Sequence, residues 1–286
     1  MKLQILSGLN LEEGEFHPPE TDADVVVLAG DIGHGAHGLQ WASHAFDKPV
    51  VYVPGNHEFH DFDLGVLDEL KREAAALGIH LLDRDAVDIG GVRFLGCTLW
   101  TDFDLLGPDR RIATMRAAER WADDFQFISD YGRPFTPQRA RDIHLADRGW
   151  LLQRLADRRL AGPTVIVTHH APHGGHLAQR YRGDPICAAC ASDLTSLLGH
   201  CELWVHGSAR GHLDYNVCGT RIVANARGSE TERDLFVEQD PFAYDLTVTV
   251  GAATPERPLR PPSLLRGSPT TSPAGRLSAS RNKGMQ

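Results

Sequence analysis

The sequence contains no apolar run that approaches the roughly 18 to 20 consecutive residues needed to span a bilayer. Residues 1–6 have the pattern of a first strand and lack the long apolar segment of a signal peptide. A basic excess is also missing: the formal net charge of −9 argues against a general nucleic-acid binder, which would need a basic surface. We therefore predict a soluble cytoplasmic protein that binds neither membranes nor nucleic acids.

Cysteine is scarce and unevenly placed. The five cysteines form an odd number, which favours reduced thiols in a protein without a secretion signal. Cys187 and Cys190 have the C-x-x-C spacing of redox motifs and zinc knuckles, but no second C-x-x-C accompanies them. The prediction is structural or incidental thiols, with a zinc or redox site as the alternative.

No internal repeat is visible, and short apolar runs alternate with turns and helical patterns. Near-continuous apolar runs are typical of strands buried on both faces, and they occur at residues 3–6, 24–29, 49–53, 92–100, 164–168 and 202–205. Helical spacing of apolar residues predicts helices at residues 64–77 and 137–160. Strands alternating with helices predict a layered α/β fold, formed by one domain over residues 1–250.

The last stretch, residues 251–286, differs in composition. It is rich in Pro, Arg and Ser, has no aromatic residue, and carries six Lys or Arg against one Glu. Such a segment cannot bury enough apolar surface to fold alone. We predict a disordered basic tail, and its Pro-x-x-Pro-like stretch offers a contact for a protein partner.

Polar side chains follow the run at residues 49–53, in the tetrapeptide Gly55-Asn56-His57-Glu58. Ligands of open α/β sheets bind at the carboxyl ends of the strands. There an Asn oxygen can ligate a metal, and a His can be a metal ligand or a proton donor. Alone, the tetrapeptide is equally compatible with a turn, in which Glu58 caps the following segment.

Four other strand ends carry related motifs: Ser7-Gly8-Leu9-Asn10, Gly30-Asp31, Thr168-His169 and Gly207-Ser208-Ala209-Arg210. Together with the tetrapeptide, their order and spacing resemble the calcineurin-like metallophosphoesterase family over residues 1–250. The resemblance implies an α-β-β-α sandwich and hydrolysis of phosphoesters by two divalent ions about 3.5–4 Å apart. Mixed carboxylate, amide and imidazole ligands suit manganese, iron or zinc.

The resemblance assigns a role to four residues of this chain. Asp31 matches the carboxylate that bridges the two metals, Asn56 the amide ligand, and His169 the lone imidazole ligand. His57 matches the histidine that assists the leaving group or contacts the phosphate. The substrate that follows is a phosphomono- or phosphodiester, either a small molecule or a phosphorylated ligand.

Four expected ligands are absent. Gly8 and Asn10 stand where the family has the Asp and His of its first motif, and Ser208 and Arg210 replace the two histidines of its last motif. The losses remove the first metal site and weaken the second, so at most one ion is predicted. Arg210 carries a permanent positive charge that could contact a phosphate at the vacated position, or it could point to solvent.

Two functions are compatible with a site that keeps some of the family's residues and lacks four of its ligands. The first is a phosphoesterase with strongly reduced or absent activity at a degenerate, mononuclear metal site. The alternative is a catalytically inactive family member that binds a phosphate ligand or a partner. Rescue of the site by other histidines stays open, and the candidates are His34, His37, His170, His173, His176, His206 and His212. The acidic residues Asp102, Asp104, Asp123 and Asp124 receive no role.

Overall fold

The structure, a computed structural model, describes residues 1–157, 162–177, 183–228 and 241–251. The strands of these residues are β1 Lys2–Leu6, β2 Val25–Ala29, β3 Val50–Val53, β4 His80–Leu81, β5 Asp85–Ile89, β6 Val92–Cys97, β7 Ser129–Asp130, β8 Arg133–Pro134, β9 Thr164–Thr168, β10 Leu203–His206, β11 Gly211–Val217, β12 Thr220–Ala226 and β13 Thr247–Thr249. The α-helices are α1 His37–Ala45, α2 Val66–Ala76, α3 Arg111–Trp121, α4 Asp124–Phe127 and α5 Pro137–Ala156. Short 3₁₀ helices lie at His57–Phe59, Pro108–Arg110, Gly174–His176, Pro185–Ala189 and Thr195–Leu197.

Two sheets form the centre of the fold. The first has the strand order β13-β1-β2-β3-β4, and β1 to β4 run parallel. The second has the order β11-β12-β10-β9-β6-β5, in which β12, β10, β9 and β6 run parallel and the outer strands are antiparallel. A parallel bridge between Ser7 and Ala226 joins the two sheets just beyond β1. The carboxyl ends of the parallel strands therefore meet at one edge of the molecule.

Three apolar layers hold the sheets and helices together. Inward-facing residues of both sheets, such as Val27 and Val167, pack against each other in the central layer. Leu39 of α1 and Leu70 of α2 pack on the outer face of the first sheet, and Leu151 of α5 packs on the outer face of the second. The order helix, sheet, sheet, helix confirms the predicted α-β-β-α sandwich.

The predicted elements agree with the observed ones within a few residues. Each of the six predicted apolar runs overlaps a strand, and the predicted helix at 64–77 contains α2. The helix predicted at 137–160 begins at Pro137, where Thr136 caps it by accepting a hydrogen bond from the Arg139 N–H. It ends at Ala156, and residues 158–161 lie outside the described residues.

Three further expectations concern the tail, the membrane and the cysteines. The predicted tail lies outside the described residues apart from Gly251, so the domain boundary at residue 250 stays a prediction. Within the described residues, no helix has the length and apolar character to cross a membrane. None of the five cysteines, all of which are described, forms a disulfide, and their redox state stays a prediction.

Candidate metal centre

The strand ends that carry the sequence motifs converge on one cavity of about 220 Å³. Asp31 follows β2, Asn56 and His57 follow β3, and His169 follows β9. All four line this cavity. Ser208, which follows β10, lines it too, and its N–H donates to the His169 carbonyl at 2.8 Å. The structure thus brings together the three residues predicted as metal ligands and His57, which was predicted as the catalytic residue.

Glycines allow the strand ends to approach this closely. A Cβ atom on Gly55 would lie 2.1 Å from Asp31 Oδ1 and 2.7 Å from His169 Nδ1. A Cβ atom on Gly207 would lie 1.7 Å from the Ala29 carbonyl oxygen. Any side chain at either position would force the two sheets apart at this edge. These glycines therefore bring Asp31 and His169 within contact distance.

Asp31 and His169 form the centre of the site. His169 Nδ1 lies 3.1 Å from the Ala29 carbonyl oxygen, which can only accept, so this nitrogen donates a proton. In neutral histidine, Nε2 then carries the lone pair, and it lies 3.2 Å from Asp31 Oδ2. Two such acceptors repel unless a proton or a cation lies between them.

The pKa values of Asp31 and His169 show that a proton between His169 Nε2 and Asp31 Oδ2 is favoured. Burial lowers the pKa of His169, but the Asp31 carboxylate outweighs burial and raises it above the ordinary value. Burial likewise opposes ionisation of Asp31, but the charges of His169 and His57 and the hydrogen bonds from both residues together outweigh burial and lower the pKa of Asp31. The site therefore favours positive charge next to this carboxylate.

The amide of Asn56 is oriented by an acidic residue from α4. Asn56 Nδ2 donates to Asp124 Oδ1 at 2.8 Å, which leaves Asn56 Oδ1 as the potential metal ligand. The same Asp124 oxygen accepts from His60 Nε2 at 2.9 Å. Burial raises the pKa of Asp124, but the hydrogen bonds from His60 and Asn56 and the charges of His60 and His170 together outweigh burial and lower it. Asp124 thus remains a carboxylate and supports the ligand.

His57 lies beside this centre and contacts two carboxylates. Its backbone N–H donates to Asp31 Oδ1 at 3.0 Å, and its Nδ1 lies 3.1 Å from Glu12 Oε1. Burial lowers the pKa of His57, but the charges of Asp31 and Glu12 outweigh burial and raise it to about 10. In the metal-free protein His57 therefore carries a proton at neutral pH.

Replacing Glu12 by Gln is expected to lower the pKa of His57 from about 10 by about 1 or more in chelator-treated protein. His57 has an ordinary pKa of 6.5, so its raised value stabilises the fold below pH 6.5 and loses this effect as pH rises towards 10. The variant should weaken that pH dependence. NMR titration of the ring and unfolding at several pH values measure both effects. Glu15→Gln, at an exposed residue beside His17, is the control and should change neither.

A buried carboxylate connects the loops that carry the site. Glu58 accepts hydrogen bonds from the backbone N–H groups of Asp31, Ile32 and Gly55 at 3.0, 2.8 and 2.6 Å. It also accepts from the Tyr52 hydroxyl at 2.7 Å. Burial, followed by the Asp31 charge, raises the pKa of Glu58. Glu58 holds the loop after β2 against the loop after β3, which goes beyond the capping role expected for it.

The four positions without the expected ligands lie at the same edge. Gly8 and Ser208 line the cavity, and Arg210 is half-buried but is not among the residues of the cavity wall. Asn10 is buried and its N–H donates to the Asp31 carbonyl at 3.1 Å, while its Oδ1 has no hydrogen-bond partner among the residues that the structure describes. A buried oxygen of this kind is suited to a cation, so Asn10 Oδ1 is a potential metal ligand.

Several residues around the centre could not be assigned from sequence. Glu12 and Asp124 contact His57 and Asn56 across 45 and 68 residues of chain, and no local pattern announces such pairs. His170 also lines the cavity, and burial, followed by the His169 charge, lowers its pKa to about 4. The spacing of His57 and His60 around one 3₁₀ turn is the signal that could have found His60.

The donors present fit a divalent cation. A carboxylate, an amide oxygen and an imidazole nitrogen line one cavity, and the Asp31–His169 contact needs a positive charge. The family model described as calcineurin-like phosphoesterase matches residues 9–212. The chain therefore belongs to this family, as its motifs predicted.

Solved structures were compared with this chain for their fold. Phosphopantetheinyl hydrolase from Mycobacterium tuberculosis is similar to this chain with a TM-score of 0.61 at 17% identity, over 82% of this chain and 94% of that one. A putative 5′-nucleotidase from Staphylococcus aureus and a dimetal phosphatase from Danio rerio have TM-scores of 0.46 and 0.44 at 13% and 15% identity. Each matches over 79% of this chain, and over 49% and 87% of its own length respectively. Among curated proteins, none matches this chain significantly.

Proposed function

We propose that this protein hydrolyses phosphomono- or phosphodiesters at a degenerate site that holds at most one divalent ion. The observation that carries the proposal is the 3.2 Å contact between Asp31 Oδ2 and His169 Nε2, in the cavity that Asn56 also lines. These three residues would hold manganese, iron or zinc. A bound ion would supply Lewis acidity and a water of lowered pKa.

His57 would serve as the proton donor to the leaving group. Its backbone N–H donates to Asp31 Oδ1, which keeps His57 beside the proposed ligands. Glu12 orients its ring. The cavity of about 220 Å³ has room for a phosphate group and part of its substituent. The substrate of the proposal is therefore a small phosphoester.

A second candidate is a family member that binds a phosphate ligand or a protein partner without hydrolysis. It is favoured by Gly8 in the cavity wall, which offers no ligand where the family motif has a carboxylate. In that case Arg210 would supply the positive charge for a phosphate, and the basic tail a contact for a partner.

Removing a proposed ligand is expected to abolish metal binding at the Asp31 site and hydrolysis. Asp31→Asn and His169→Ala should each lose one metal equivalent, because loss of a direct ligand should weaken binding by more than the roughly 10- to 100-fold effect of losing a supporting hydrogen bond. Elemental analysis of the purified protein and hydrolysis of aryl phosphomono- and phosphodiesters measure the two effects. The exposed His80, on β4, provides the control variant His80→Ala.

The unmodified protein separates the two candidate functions. One bound ion and metal-dependent turnover support the hydrolase. A protein that shows neither stoichiometric metal nor turnover would overturn it. Binding of inorganic phosphate by such a protein would favour the second candidate.

A further inference from the structure

Three histidines cluster beside the Asp31 centre without sharing a ligand with it. One ring nitrogen each of His34, His57 and His60 lies within 4.8 Å of the other two. The ligand nitrogens of a tetrahedral zinc site lie roughly 3.3 Å apart, given Zn–N distances of about 2.0–2.1 Å. Side-chain movements of about 1 Å would therefore convert the cluster into a three-imidazole site.

Two loops bring these histidines together. His57 and His60 flank one 3₁₀ turn, in which side chains three residues apart lie over each other, and their rings stack with centroids 4.6 Å apart. His34 comes from the loop after β2, and its ring meets the other two edge-on at 5.9 and 5.7 Å. The Gly35 N–H donates to the Glu58 carbonyl at 3.1 Å and fixes this loop against the turn.

Carboxylates support the cluster from outside. Glu12 Oε1 lies 3.1 Å from His57 Nδ1 and 3.4 Å from His34 Nε2, and Asp124 Oδ1 lies 2.9 Å from His60 Nε2. A carboxylate can only accept, so His57 Nδ1 and His60 Nε2 donate, and in a neutral ring the other nitrogen keeps its lone pair. Histidine ligands of metals are commonly held in this way, with one nitrogen bonded to a carboxylate.

We propose that His34, His57 and His60 bind one divalent transition-metal ion of the zinc type, with Glu12 and Asp124 as supporting residues. Three imidazoles suit zinc, copper or nickel more than manganese or magnesium. Three protein ligands leave one coordination position for water or an anion. A bound ion would use the lone pair of His57, so its occupancy and the proton-donor role proposed for His57 exclude each other.

Zinc binding by the full-length protein tests this site. In the His169→Ala variant, which lacks the Asp31 centre, one equivalent of Zn²⁺ should still bind in competition with a chromogenic chelator. Adding His34→Ala should weaken this binding at least about 10-fold, and more if the ligand set collapses. Cobalt in place of zinc should give a visible absorption band that disappears with His34→Ala.

Two further variants make the result specific. His37→Ala removes an exposed histidine three residues from His34 and should leave zinc affinity unchanged. His60→Gln should also weaken binding, and circular dichroism checks that it folds. The proposal is overturned if His34→Ala and His60→Gln bind zinc as tightly as the parent, or if His169→Ala alone abolishes binding. The second outcome would leave the proposed function intact, because it would place the only ion at Asp31.

Discussion

Replacing Glu58 by Ala is expected to lower the free energy of unfolding by at least about 4 kcal/mol. The change leaves four buried donors without an acceptor, namely the N–H groups of Asp31, Ile32 and Gly55 and the hydroxyl of Tyr52. Each unsatisfied buried donor costs about 1–3 kcal/mol. Urea unfolding measures the loss as a lower midpoint at unchanged slope.

Two control variants show how large the loss of stability in Glu58→Ala should be in comparison. Tyr52→Phe removes only one of the four hydrogen bonds and should cost about 1–2 kcal/mol. Glu69→Ala changes an exposed glutamate on α2, whose Arg72 contact is 3.9 Å long, and should stay within about 0.5 kcal/mol of the parent. If Glu58→Ala were as stable as Tyr52→Phe, the three backbone contacts would contribute nothing and the role assigned to Glu58 would be wrong.

The functional consequence concerns the alignment of the proposed metal ligands. Glu58 binds the backbone of both Asp31 and Gly55, the residue before Asn56. Without it, the two loops can separate, and the carboxylate and amide donors no longer face one cavity. We therefore expect the Glu58→Ala protein to lose metal affinity even where it remains folded.

The strands were predictable because their burial produces an unmistakable pattern. All five residues of β2 and all four of β3 are buried, so each appears in the sequence as an unbroken apolar run. Helix α5 was equally predictable, because Thr136 and Pro137 are typical of a helix start. Asp31 and Asn56 follow parallel strands of the first sheet and His169 follows a parallel strand of the second, and the carboxyl ends of parallel strands are where ligands are expected.

The surroundings of the site were not predictable, because they depend on contacts between distant segments. Glu58 appeared to be a local cap, yet three of its partners come from two loops that approach only because Gly55 has no Cβ. Asp124 lies on α4, a helix of one turn with no apolar periodicity. Strand ends can be predicted from a single sequence, but the residues of other loops that contact those strand ends cannot.

Restoring the four family ligands is expected to produce the largest gain of function. The variant Gly8→Asp, Asn10→His, Ser208→His and Arg210→His should bind two divalent ions where the proposed site holds at most one. A second ion that contacts the phosphate is worth several kcal/mol in the transition state, which corresponds to at least about a 100-fold increase in kcat/KM. Elemental analysis and hydrolysis of an aryl phosphodiester measure the two gains.

The backbone at the first motif can accept these side chains. Gly8 and Asn10 have φ values of 52° and 47°, in the left-handed region, where Asp and His occur more often than most other residues. Asp31, at φ 56°, already adopts this conformation in the same site. A Cβ on Gly8 would lie 3.3 Å from the Ala226 Cβ and 3.4 Å from the Gly228 backbone nitrogen, so these neighbours must move by a few tenths of an ångström.

Asp31→Asn in the restored variant is the decisive control, because Asp31 is the ligand that both ions would share. It should remove the added metal and the added turnover together while leaving the fold intact. A restored variant that is folded but binds no additional metal would show that the strand ends no longer hold the family geometry. In that case the loss of function would lie in the backbone as well as in the four side chains, and the argument for a binding role would gain strength.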